Sequence, residues 1–142
     1  MVAIVTDVRY RMSLALIRDL GQAGVEVITC ERERCRQNAA SPALGALSRW
    51  TSRHVWLPEE GYGEALLDLC GEIGEKPALL PVGAATLETV ARDRSRFDAV
   101  CGLCAPTLEQ LDRMNSKERA AALAESLGVP VPESFVRREG GG

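Results

Sequence analysis

A chain of 142 residues, 46% hydrophobic and 26% charged, has the make-up of one globular protein, and at that length about 68–70% of the unfolded surface can be buried in a single core without disulfides or a structural metal. Its five cysteines, an odd number with no spacing of a small secreted scaffold, fit a reducing cytosol, so a cytoplasmic protein is expected. No apolar run approaches the roughly 18 to 20 residues of a membrane span, Val2 to Val5 is too short for a signal sequence, and a net charge of −3 gives a nucleic-acid partner no electrostatic support.

Val2 to Thr6 is a short apolar run of the buried-strand type, and Leu14, Ile17, Leu20 and Ala23 then recur at helical spacing. Gly24 stops that helix and Val25 to Cys30 reads as a second strand, completing a β-α-β unit. Glu31 to Leu47 has little periodicity and reads as a loop with one short helix from Ala43 to Ser48. Arg53 to Leu57 is a third strand ended by Pro58, and Tyr62, Leu66, Leu69, Cys70 and Ile73 fall on one helical face before Gly74 and Pro77. Ala78 to Val82 is a fourth strand. Gly83 turns the chain into a helix carrying Leu87, Val90 and Ala91, Ala99 to Cys101 is a fifth strand, and Thr107 with Gln110 can form a capping box for a helix ending near Met114.

Strands alternating with helices predict an α/β fold, a Rossmann-like three-layer domain with a mostly parallel five-stranded sheet in the order 3-2-1-4-5. Ligands of such sheets sit beyond the carboxyl ends of the strands at the switch point, here between strands one and four, so Asp7 to Ser13 and Pro81 to Thr86 should line the cleft.

The first β-α turn, Thr6 to Ser13, contains no glycine, so a pyrophosphate cannot approach its backbone and NAD binding is not expected; no phosphate-binding P-loop occurs either. Glu31 stands where a ribose-binding acid would lie but, without the glycine turn, reads as a solvated charge. Cys101-Gly-Leu-Cys104 has C-x-x-C spacing; with no further ligands in reach it reads as a pair of buried apolar cysteines. His54, the only histidine, has no nucleophile near it in the pattern, and Ser13 reads as the N-cap of the first helix. Arg9 and Arg11 precede that helix, whose N-terminus favours anions, and could hold a carboxylate or carboxyphosphate there, although solvated loop arginines are the plainer reading. In the turn after strand four, Thr86 is the polar group left beside Gly83-Ala84-Ala85.

The stretch from Met114 to Pro132 differs from all of this. Asn115 or Ser116 can cap a helix, Gly128 suits the left-handed position after its last turn, and Pro130 and Pro132 prevent continuation, leaving an extended arm toward Ser134-Phe135-Val136 and the closing Gly140 to Gly142. Lys117 opens this helix, where a cation opposes the macrodipole by ~0.3–1 kcal/mol, a placement local stability would not select.

This helix, its Gly-Val-Pro-Val-Pro stop and the layout before it resemble the junction that opens the nucleotide-binding region of ATP-grasp ligases such as carbamoyl-phosphate synthase and biotin carboxylase. The resemblance implies a pre-ATP-grasp domain over residues 1–114 and the start of an ATP-grasp region over 115–142, with the rest of that region supplied in cis. It implies that Lys117 contacts an ATP phosphate; Ser116 stands where relatives carry an acidic residue, so only the lysine carries over. It further implies a carboxylate or carboxyphosphate-type substrate with a polar contact from the turn after strand four, for which Thr86 is left, beside the Arg9 and Arg11 already named, and ATP and Mg2+ used by the intact enzyme with none bound tightly by this chain alone, which is expected to be inactive by itself. The alternative is a free-standing Rossmann-like or flavodoxin-like small-molecule-binding or interaction module. Both readings leave room for a homodimer.

Overall fold

The structure, a computed structural model, describes residues 1–36 and 42–132. Five parallel strands, β1 (Val2–Val5), β2 (Glu26–Arg32), β3 (Thr51–Leu57), β4 (Ala78–Leu80) and β5 (Gly102–Leu103), form one sheet in the order β3-β2-β1-β4-β5. Around it run α1 (Arg11–Gln22), α2 (Tyr62–Glu72), α3 (Ala84–Arg92) and α4 (Arg94–Val100). A 3-10 turn, Leu44–Leu47, replaces the short helix expected in the β2–β3 connection. None of the described helices is long and apolar enough to cross a membrane.

Alternation along the strands divides the core between the two faces of the sheet. Ile4 lies beside Ile28 and Leu79 in register, and all three pack with Leu66 and Cys70 of α2, Val90 of α3 and Phe97 of α4. Val5 and Val27, their neighbours in sequence, point to the opposite face and pack with Ile17 of α1 and with Val8. Each such fully buried aliphatic stabilises the fold by about 1.5–3 kcal/mol, which is ample reason for the three-layer arrangement. Gly24, at φ 78, ends α1 as expected of a glycine after a helix.

The fifth strand departs from the sequence reading. Ala99 and Val100 close helix α4, and the strand is the two residues after Cys101. Phe97 explains the shift: it is fully buried, and a helical turn from Arg94 is what brings it into the α2–α3 layer. The backbone of Asp93, at φ −101 and ψ 26, separates α4 from α3. β5 still joins the sheet through Gly102 N–H to Pro77 O at 2.8 Å and Cys104 N–H to Leu79 O at 3.3 Å.

On the edge strand β3, His54 has its Nδ1 2.9 Å from Thr29 Oγ1 and its ring edge-on to Trp56, centroids 4.6 Å apart. Its Nε2 is buried with no hydrogen-bond partner among the described residues. Burial therefore holds the His54 pKa below its ordinary 6.5, with the Thr29 contact opposing. The unfolded chain then binds a proton that the folded chain refuses, so stability should be full above pH 6.5 and decline as pH falls from there toward the lower folded pKa. Since the sequence holds no other histidine, urea midpoints between pH 7 and pH 5.5 should fall for the wild type. They should fall measurably less for His54→Gln; equal slopes would show that the imidazole is not desolvated.

The chain divides into two compact units, Met1–Leu108 and Glu109–Gly142. In the second, α5 (Leu108–Asn115, all but its first residue) and α6 (Lys117–Ser126) follow each other closely, joined by an ion pair between Arg119 and Asp112. Ser116 is the N-cap of α6, its Oγ accepting from Arg119 N–H at 3.3 Å, so of the two candidate caps the serine serves. The other end is a Schellman closure. Gly128 at φ 71 donates to Glu125 O, and Val129 N–H reaches Ala124 O, both at 2.9 Å. The arm through Ser134-Phe135-Val136 and the terminal glycines lie outside the described residues.

Candidate functional site

The strand order puts the switch point between β1 and β4, where the chain leaves β1 toward α1 on one face and leaves β4 toward α3 on the other. Asp7, the second residue after β1, adopts φ 55, a left-handed conformation that aspartate tolerates better than most residues. That backbone turns its side chain into the crevice, where it is 3% exposed. Its carboxylate accepts from Gly83 N–H at 2.9 Å and Thr86 Oγ1 at 3.1 Å, and from the Thr6 hydroxyl. Thr6 Oγ1 in turn accepts from Val82 N–H at 3.2 Å, and the Tyr62 hydroxyl lies 3.3 Å from Thr86 Oγ1. Burial pushes the Tyr62 phenol well above its ordinary pKa, so it is a neutral donor or acceptor.

Asp7 thus occupies the N-terminus of α3, the place where a helix macrodipole would attract a bound anion. Gly83 is required beside it. A Cβ there would stand 2.4 Å from Asp7 Oδ1.

A second cluster lies at the end of β2. Glu31, 1% exposed, accepts from Arg9 Nη1 at 2.6 Å, Arg9 N–H at 3.2 Å and Arg32 N–H at 2.9 Å. Arg9 also meets Cys35 Sγ at 3.0 Å and the Tyr10 hydroxyl at 3.1 Å. Glu31 is therefore not the solvated charge its position suggested: a buried carboxylate needs a cationic partner, and Arg9 supplies it across the crevice mouth. The Arg32 guanidinium stacks 3.6 Å over the Tyr62 ring and pairs with Glu59 at 3.7 Å. Beside it a cavity of about 320 Å³ opens, lined by Arg32 and by Ala85, Glu88, Thr89 and Arg92 of α3.

The sequence candidates are distributed unevenly over this edge. Thr86 is fully buried beneath Asp7, and Arg9 is turned toward Glu31. Arg11, the first residue of α1, is exposed and has no ion pair among the described residues. The N-cap of α1 is Tyr10, which makes no side-chain cap hydrogen bond, so no side chain at the cap satisfies the helix's first N–H groups. Ser13 is not the cap. It sits within the first turn, fully buried, its hydroxyl donating to Thr6 O at 3.1 Å and Asp7 O at 2.8 Å and clamping the turn before the helix. Lys117 is exposed in the first turn of α6, in the second unit.

The C-x-x-C pair is not uniformly buried: Cys101 is enclosed, its thiol donating to Phe97 O at 3.2 Å, while Cys104 is exposed just past the short β5. Among the described residues no group of three His, Cys, Asp or Glu side chains could hold a metal ion. The buried hydroxyls of Thr6, Ser13 and Thr86 are all engaged with Asp7 or its neighbours, so the edge offers hydrogen-bonding and anion-receiving groups rather than an activated nucleophile. Compared with known proteins, the sequence matches no protein-family model and no curated protein.

Proposed function

We propose that this chain is the N-terminal, substrate-side domain of an ATP-dependent carboxylate–amine ligase or carbamoyl-phosphate-synthase-like enzyme that works through an acyl phosphate. The observation that carries the reading is the sequel to the sheet: a Ser116-capped helix opening on Lys117 and closed by a Gly128 Schellman turn ahead of Pro130 and Pro132, directly after a 3-2-1-4-5 parallel domain. Two groups suit the anions such a reaction handles. The N-terminus of α1, without a side-chain cap and beside the unpaired Arg11, suits a carboxylate; the exposed Lys117, at a second helix N-terminus, suits a phosphate.

In this reading Arg11 and the α1 amides orient the substrate carboxylate, while the Arg9–Glu31 pair and the Asp7 network hold the turn that presents them. Lys117 neutralises phosphate charge. ATP with Mg2+, when bound by the intact enzyme, supplies the phosphoryl group that activates the carboxylate. The remaining nucleotide and metal contacts belong to the nucleotide-binding region expected in cis.

The alternative, a free-standing binding or interaction module, draws on Asp7, which closes the α3 side of the crevice with the protein's own carboxylate. Calorimetric titration of the 142-residue chain with MgATP separates the two. The ligase-domain reading expects no micromolar site, and a tight one would favour a self-sufficient nucleotide-binding module.

A further inference from the structure

On the α1 face, toward the amino ends of the strands and so away from the switch point, a groove of about 670 Å³ runs between α1 and the 3-10 turn, lined by Arg18, Leu47, Arg49 and Trp50. Its floor is fixed. Trp50 lies so close to Gly21 of α1 that a Cβ there would meet the indole at 2.6 Å. The Arg49 guanidinium stands 4.6 Å from the centroid of the same ring. Leu47 is 82% exposed at the rim and Leu44, on the same turn, 50%.

The charges around this groove are unusual for the molecule. Arg18 and Arg49 are exposed and, with Arg11, are the described arginines that no carboxylate meets within salt-bridge distance. Every other described arginine does have such a carboxylate. In a chain with 20 acidic and 17 basic residues, the lack of partners is not for want of acids.

We propose that this groove docks a short acidic segment of another protein, which seats one bulky aliphatic or aromatic side chain against Trp50 and Leu47 and aims flanking carboxylates at Arg18 and Arg49. Charge complementarity selects this occupant. Among the described residues no acidic one lines the groove, so a second copy of the chain seated on it face to face would bring the two pairs of guanidiniums together. Nucleic-acid bases would find aliphatic Leu47 and Leu44 at the rim, and an indole already covered by Gly21 on one side and attended by Arg49, in place of open stacking platforms.

The test is selection from a library of short random peptides against the full chain, followed by fluorescence anisotropy of the enriched peptide. The enriched sequences should share a large apolar residue flanked by Asp or Glu. R18E/R49E should weaken that peptide by ~10-fold or more, and raising the salt concentration should weaken it for the wild type. Both arginines are exposed, so circular dichroism and melting of the double variant should match the wild type. Enrichment of no acidic-apolar sequence, or binding indifferent to R18E/R49E, would overturn the proposal. So would tighter binding of a single-stranded oligonucleotide at this groove, or sedimentation showing a dimer that R18E/R49E dissolves.

Discussion

Asp7→Ala is expected to lower the unfolding free energy by ~3–5 kcal/mol in urea titration. The carboxylate satisfies Gly83 N–H and the hydroxyls of Thr86 and Thr6, all within a crevice where Asp7 is 3% exposed. Each buried donor left unmatched costs about 1–3 kcal/mol, partly relieved where a hydroxyl can rotate to another acceptor. Alanine adds a backbone cost of roughly 1–2 kcal/mol at φ 55. Asp7→Asn separates the two contributions: it tolerates the backbone and keeps one acceptor, but turns an amide NH2 toward groups that are themselves donors. It should fall between wild type and alanine. Gly83→Ala attacks the same contact from the other side, since its Cβ would stand 2.4 Å from Asp7 Oδ1 while its own φ of −77 suits alanine. An Asp7→Ala variant within 1 kcal/mol of wild type would mean that the carboxylate is not what joins the two turns.

The second large effect belongs to Lys117, in an enzyme that joins this chain to a complete nucleotide-binding region. If its ammonium meets an ATP phosphate, Lys117→Ala should remove ~1.5–3 kcal/mol of interaction, a loss of ~10-fold to 100-fold in kcat/KM for ATP. Stability should not follow. Lys117 is exposed in the first turn of α6, whose Ser116 cap does not involve its side chain, so alanine relieves an unfavourable dipole interaction and introduces the best helix former. The Tm of the 142-residue chain should hold or rise slightly. Wild-type kinetics in the variant would end the phosphate role, and a lowered Tm would assign the lysine to structure instead.

How much of this could be read from the sequence depended on how local its cause is. The strands β1 to β4 and the order of the sheet follow from apolar runs separated by helical periods, signals carried within a few residues of one another. The α6 terminus was equally legible, because Gly128, Pro130 and Pro132 act through their own backbones. β5 was misplaced by an apolar triplet: Ala99, Val100 and Cys101 look like a strand, and only the burial of Phe97 in a layer formed by α2 and α3 makes the first two helical. The site was hidden for the same reason. Glu31 is a buried anion only because Arg9 reaches it from a turn 22 residues earlier, and Thr86 is tied to Asp7 across 79 residues. An acid directly after a buried strand, with a glycine in the turn after strand four, was the trace that the Asp7–Gly83 contact left in the sequence.

If this domain supplies the carboxylate side of a ligase site, as proposed, the steady-state kinetics of Arg11→Ala in the joined enzyme should show it. Arg11 is exposed at the N-terminus of α1 and has no ion pair among the described residues, so the substitution should leave the fold intact. The KM for the carboxylate substrate should rise by ~10-fold or more, with the KM for ATP unchanged. An unchanged KM for the carboxylate would rule Arg11 out as its ligand.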